Sequence, residues 1–354
     1  MNRNKAILYV LVFTIYQLLL AHNSCFASPT HKIKGIYEAV WYEDIEKISA
    51  IKEEYISGIT LWIPWNVIER NEGEYDWSMV DKAILIAKTH NKIVNIGIFP
   101  NFRAPNYILN DANVKKFTFH RWIHEGVKKT AKPIEVTPLP WDERYLTRWL
   151  ALISELAKKY DNNKNIGYVA LTGPNLQAIE MSIHLKNEED IKLMKSYENL
   201  EDRMFAAWKK VIDGYDNSFK HVKVALTLGQ LIGDNNLPKR VVSYLNTAIP
   251  TQRIILKVAF LNGKWYQKMK SNNINRQLID MMKSYSNINQ IGMEMFWISK
   301  VQDGNVNGPL SVAIQNGIND NADFIEIYNQ DIENAPEDIV NDLKNGSLKL
   351  KKKK

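Results

Sequence analysis

From Ile33 almost to the C-terminus, short apolar runs alternate with stretches whose apolar positions recur at helical spacing. The runs "IKGIYEAVW", "GITLWIPW", "KIVNIGIFP", "IGYVALTGP", "HVKVALTLG", "RIILKVAFL", "QIGMEMFW" and "ADFIEIYN" predict strands. Between them "EDIEKISAIKEEY", "SMVDKAILIAKTH", "RYLTRWLALISELAKKY", "PKRVVSYLNTA" and "NRQLIDMMKSY" predict amphipathic helices. Near-continuous apolar strands are buried on both faces, which implies a parallel sheet clothed by helices. Eight such units without a Pro/Gly/Ser-rich linker predict a single-domain α/β fold, a (β/α)8 TIM barrel. A doubly wound sheet is the alternative, but no Gly-rich phosphate turn follows the first strand. The connections 101–142 and 174–200 are longer than the rest, and in a barrel both are loops of the C-terminal face, where sites are built.

The first 27 residues stand apart from this pattern. Arg3 and Lys5 precede an apolar stretch from Ala6 to Ala21, and Cys25-Phe26-Ala27 offers a small-residue cleavage site, as in a secretory signal peptide. The expected organisation is a signal peptide over 1–27, the barrel over 28–345 and a lysine-rich tail over 346–354. Cleavage would leave a secreted or periplasmic chain with no membrane span. It would also remove the only cysteine, and with it thiol catalysis, disulfides and thiolate metal sites. Arg3, Lys5, Lys349 and Lys351 to Lys354 account for the formal net charge of +7, so the body is near neutral and shows no basic face for nucleic acid.

The chemistry lies in misplaced acids. Glu294 in "GMEMFW", Glu326 in "FIEIY" and Glu38 in "IYEAVW" each sit among apolar residues, where an ionised carboxylate is costly without a partner. Barrel closure makes the seventh, eighth and first strands neighbours, so inward-pointing acids would meet at one mouth and push at least one pKa upward. Lys257 in the sixth strand could instead neutralise Glu294 as a structural ion pair. Asn175, Gln177 and Glu180 follow the fourth strand within reach of that mouth. A Glu from each side is the arrangement of double-displacement glycoside hydrolysis. Trp41, Trp62, Trp65, Trp265 and Trp297 fall at or just beyond predicted strand ends, where ring faces suit pyranose stacking.

The segment "WIPWNVIERNEGEYDWSMVDKAILIAKTHNKIVNIGIFP" resembles the second-to-third strand region of clan A glycoside hydrolases, particularly the β-galactosidase-like families. Trp65, Glu69, Gly73, Tyr75, Asp76 and Trp77 match their pattern. The stretch "LPWDERYLTRWLALISELAKKYDNNKNIGYVALTG" is similar to the helix and strand that precede their acid/base. The resemblance implies a TIM barrel with Glu294 as nucleophile. Where the family has Asn-Glu as the acid/base motif, this chain reads Thr172-Gly173-Pro174, and the next Glu is Glu180.

The leading expectation is an exported retaining glycosidase acting on a β-linked oligo- or polysaccharide. Glu294 would attack and Glu180 would serve as acid/base. Glu38, Glu326, Trp41, Trp62, Trp65, Asn175, Gln177 and Trp297 would bind substrate, and no cofactor or metal is called for. A non-catalytic saccharide-binding barrel that lost the fourth-strand acid is the alternative. A Schiff-base role for Lys257 and a metal at His120 and His124 of "HRWIHE" are further alternatives from other chemistry.

Overall fold

The computed structural model describes residues 32–121, 134–298 and 307–353. The signal-like segment, Trp122 and His124 lie outside them. Eight parallel strands close a barrel: β1 (Gly35–Trp41), β2 (Ile56–Pro64), β3 (Ile93–Phe99), β6 (Ile166–Ala170), β7 (Lys223–Thr227), β8 (Ile254–Leu261), β9 (Gln290–Met295) and β10 (Phe324–Tyr328), with β10 pairing back onto β1. Each coincides with one of the eight apolar runs, β2 starting two residues before its run, and the fold is the expected (β/α)8 barrel. Strands β4 (Lys116–His120) and β5 (Ile134–Pro138) form an antiparallel hairpin inside the long third connection. Asp142 ties that insertion to the barrel layer. Its carboxylate caps the helix Glu143–Tyr160 by accepting from Tyr145 N (2.9 Å) and also accepts from Lys115 N (3.0 Å).

Apolar side chains divide between two cores. An inner one, including Tyr37, Ala39, Trp62, Tyr168, Ala170, Ala225, Ile255 and Phe324, fills the barrel. The outer one joins the other strand faces to the helices Ser78–Thr89, Glu143–Tyr160, Leu200–Ser218, Asn236–Ala248, Ile274–Ser284, Leu310–Asn319 and Glu337–Lys352. Trp62 crosses the inner core above Gly97, where a Cβ would fall inside the indole ring.

Two expected elements differ. "EDIEKISAIKEEY" forms the short 3-10 turns Tyr42–Asp44 and Ala50–Lys52 instead of a helix. The Glu333 carboxylate accepts from Ser49 N (2.6 Å), Ser49 Oγ (2.6 Å) and Ala50 N (2.8 Å), so these amides are taken by a distant side chain and not by carbonyls four residues back. The expected tail from residue 346 is part of the helix Glu337–Lys352. Lys351 donates to Glu54 O (2.7 Å), Lys349 to Gln315 Oε1 (2.9 Å), and Lys353 pairs with Asp323 (2.9 Å), so these lysines are anchored at a helix C-terminus whose dipole favours them.

Gly97→Ala forces Trp62 or β3 to shift. The expected cost is about 1–3 kcal/mol, read as a lower urea midpoint at unchanged slope. An unchanged midpoint would mean that Trp62 does not cover Gly97.

Candidate functional site

Parallel pairing aligns Tyr37 with Glu326 and Glu326 with Glu294, which gives these three side chains one facing, into the barrel. Glu38 is one residue out of phase, and in a strand one residue changes the face. Its neighbours Ile36 and Val40 belong to the outer core while Tyr37 and Ala39 belong to the inner one. The expected convergence therefore holds for Glu294 and Glu326 and fails for Glu38, which is corrected from a substrate-binding group to a buried residue under the outer layer.

Glu38 meets Glu333 there. Burial first, then the charge of Glu333, raises Glu38 to about 9. Neither Glu38 oxygen finds a donor, whereas Glu333 is held by three donors from Ser49 and Ala50. Of the two carboxyls it is Glu38 that favours the protonated form, since Glu333 is held low by its donors.

Inside the barrel, Lys257 of β8 reaches up past Gly292, where a Cβ would lie 2.8 Å from its Cγ. Its ammonium contacts Glu326 Oε2 closely, donates to Tyr168 OH (3.0 Å) and lies 3.5 Å from Glu294 Oε2. The other Glu326 oxygen accepts from Thr60 Oγ1 (2.7 Å) and Tyr168 OH, and Asn95 Nδ2 donates to Thr60 Oγ1 (3.1 Å). Fully buried and saturated with donors, Glu326 has no lone pair facing an open space, so its expected contact with sugar hydroxyls is corrected to an internal ion pair. The two carboxylates hold Lys257 charged, overcoming burial and raising its pKa. A Schiff-base amine must shed its proton, so this pairing speaks against the aldolase-like alternative.

Glu294 is 4% exposed. Its Oε1 accepts from Tyr328 OH (3.3 Å), and Trp297 packs against the Tyr328 ring at 5.7 Å. Burial raises Glu294 to about 8. Lys257 pulls it down, while Glu326 and Glu180 push it up. The influence of Glu180 means that the two predicted catalytic carboxylates share one electrostatic environment.

The end of β6 explains the altered motif. Trp149 Nε1 donates to Thr172 O (2.7 Å), Tyr145 OH to Gly173 O (2.6 Å), and Thr172 Oγ1 to Ile98 O (3.1 Å). Gly173 has φ of 147°, and a Cβ there would lie 2.9 Å from the Trp149 ring. No glutamate fits at this position in this backbone. Asn175 then folds the loop back. Its amide donates to Ile179 O (2.8 Å) and Glu180 O (2.6 Å), and its oxygen accepts from Gly173 N (2.7 Å). Every polar atom of Asn175 is thus engaged within the loop, which corrects it from substrate binding to fixing the loop that presents Glu180. Gln177 likewise donates to His184 O (2.6 Å), with part of its side chain open.

Glu180 lines a cavity of about 360 Å³ with Gln177, Gln230, Phe260, Trp265 and Phe296. Burial raises the Glu180 pKa, and its Oε2 is covered without a hydrogen-bond partner. The rings of Trp265 and Phe296 meet edge to face at 5.6 Å. Phe260, Phe296 and Gln230 were not anticipated. The signal for the two phenylalanines was their place at the ends of the sixth and seventh runs, beside tryptophans that drew attention first.

The other tryptophans divide by face. Trp41 is half-buried and stacks on Phe99 (4.9 Å) at the mouth. Trp62 is 1% exposed and lies 5.2 Å from the Lys257 ammonium, so it is corrected from a sugar platform to part of the floor. Trp65 is corrected more strongly. It packs in the outer core against Trp149 (5.2 Å) and gives its N–H to Glu69 (2.7 Å). His120 pairs with Asp190 (3.2 Å). Among the described residues no group of three or more His, Cys, Asp or Glu is placed to hold a metal ion, and no helix is long and apolar enough to cross a membrane.

The closed eight-stranded parallel barrel is shared by solved structures of glycoside hydrolases. A β-galactosidase from the Antarctic haloarchaeon Halorubrum lacusprofundi superposes with a TM-score of 0.54 at 8% identity, over 89% of this chain and 58% of its own. A β-galactosidase from the psychrophilic Marinomonas ef1 gives 0.52 at 10%, over 83% and 53%. The catalytic domain of the major endoglucanase of Xanthomonas campestris gives 0.51 at 11%, over 89% and 96%. The chain thus spans just over half the length of the two β-galactosidases and nearly all of the endoglucanase domain. At these identities the likeness is one of fold, and it agrees with the clan A resemblance in the sequence. No family profile matches the chain, and no curated protein matches it.

The Glu38 proton has a measurable consequence. A carboxyl raised from its ordinary value near 4.5 to about 9 on folding binds an extra proton in the native state between those values. Its stabilising contribution is complete below the lower value and is lost as pH rises through the upper one, with a slope of up to about 1.4 kcal/mol per pH unit. Glu38→Gln is expected to flatten stability against pH in that window, measured by urea unfolding from pH 5 to 9. Parallel curves for the variant and the wild type would contradict this assignment.

Proposed function

We propose that the chain is an exported glycoside hydrolase that cleaves β-linked saccharides with Glu294 and Glu180 by a retaining route. One arrangement carries the reading: Glu180, on the loop after β6, lines a cavity walled by Phe260, Trp265 and Phe296, and its charge bears on Glu294 at the end of β9. The shared barrel of two β-galactosidases and an endoglucanase supports it.

In this reading Glu180 is the acid: burial raises its pKa and Oε2 is covered without a partner, which favours the protonated form that an acid needs. It gives its proton to the glycosidic oxygen as the bond to the anomeric carbon breaks. Glu294, raised to about 8 by burial, reacts through the ionised form that Lys257 and Tyr328 stabilise, and takes that carbon through one oxygen. Water then attacks the same carbon and loses its proton to Glu180, which frees Glu294. The partly open rings of Trp41, Trp265 and Trp297 suit the apolar faces of sugar rings.

A second reading is favoured by the cramped end of β6, where Gly173 leaves no room for an acid at the family's usual place. In it the barrel binds a saccharide without cleaving it. One experiment separates the two. Aryl β-glycosides are incubated with the mature chain and with Glu294→Gln and Glu180→Gln, while calorimetry follows oligosaccharide binding. Hydrolysis by the wild type, reduced about 10²–10⁴-fold in Glu180→Gln and to background in Glu294→Gln, is expected. Binding with an intact oligosaccharide would establish the binding module. Equal rates in all three proteins would end the glycosidase reading.

A further inference from the structure

The barrel floor holds one cation between two inward-facing carboxylates, and the sharing is unequal. Glu326 touches Lys257 closely, while Glu294 stands 3.5 Å off. The Glu326 carboxylate cannot turn away, since Thr60 (2.7 Å) and Tyr168 pin its other oxygen and Asn95 fixes Thr60 (3.1 Å). Glu294 is held more loosely, by the long Lys257 contact and by Tyr328 OH at 3.3 Å.

We propose that Lys257 is a positioning residue for Glu294, and that Glu326 determines how much of its charge Glu294 receives. The proposal deepens the glycosidase reading, and its activity readout rests on that reading. In a site closed to water the attraction between charges grows steeply as they approach, so where the ammonium sits decides which carboxylate it serves. Removing Glu326 frees Lys257 to close on Glu294 and favours the ionised form. Removing Lys257 leaves two buried carboxylates with no cation between them, and Glu294 retains its proton to higher pH. The two losses act in opposite directions. An ordinary packing defect has no reason to produce that sign pattern.

The groups that bear on Glu294 come from every side of the floor: Lys257 on β8, Tyr168 on β6, Glu326 and Tyr328 on β10, and Glu180 on the loop after β6. Tyr37 on β1 faces Glu326 and is raised by it, after burial. Lys257 is the one cation among them. Of the two carboxylates on Lys257, Glu326 also has its other oxygen held by Thr60 and Tyr168, whereas Glu294 has one long contact on each oxygen.

The test compares Glu326→Gln, Lys257→Met and the double variant with the wild type by two readouts. The first is the acid limb of kcat/KM against pH on an aryl β-glycoside. The second is the titration of Glu294 followed by isotope-edited infrared spectroscopy, its band assigned by loss in Glu294→Gln. Glu326→Gln is expected to move the Glu294 midpoint down by at least about one pH unit, a tenfold gain in rate on the limb. Lys257→Met is expected to move it up. If Lys257→Met does not fold with Glu326 left unpaired, the double variant replaces it, and its midpoint is expected above that of Glu326→Gln alone. Midpoints that coincide, or that move together in one direction, overturn the proposal. If the wild type hydrolyses no glycoside, the glycosidase reading fails on its own, while the infrared titration still decides the roles of Lys257 and Glu326.

Discussion

A single ammonium group buried in the barrel organises the acids around it. Isolated, any of these charges in a dry interior would be expensive. Lys257 makes Glu326 tolerable, and Glu326, Thr60, Tyr168 and Asn95 together make Lys257 immobile. The floor built in this way is tightly held. Glu294, paired in register with Glu326, is held only by the longer contacts to Lys257 and Tyr328.

Above the floor the opposite device is at work. The loop after β6 has little regular structure, yet its position is closely determined by ring hydroxyls and indoles of the helix layer that hold the strand end, and by one asparagine that turns the chain back. The wall carrying Glu180 is therefore built from backbone hydrogen bonds, whereas the wall carrying Glu294 is built from strand register. At the end of β6 the Trp149 ring against Gly173 leaves no room for a side chain.

The architecture was legible because burial on both faces leaves an unbroken apolar run for every strand, and all eight runs became staves. Helices were legible where an apolar stripe repeated, as in Glu143–Tyr160, and failed after β1, where a carboxylate from the far end of the chain takes the amides. At the site, composition located the acids but not their facing. Glu38 and Glu294 look alike in sequence, each a lone acid among apolar residues, and differ by one step of strand phase that only pairing reveals. Trp62 and Trp65 were misjudged for the related reason that the end of a strand does not say which layer a ring enters. Asn175 read as a ligand because its three bonds all go to main-chain atoms of its own loop, which leave no trace in side-chain chemistry.

The seam between β1 and β10 joins the two ends of the folded chain, and Lys34 donates to the carbonyl of Lys353 across the same region. During synthesis β1 therefore emerges early and waits with one edge bare until the last strand has been made. A bare parallel edge invites mispairing with other chains. The cylinder closes only once β10 arrives, so a chain ended before it remains an open sheet whose inner lysine and acids face water.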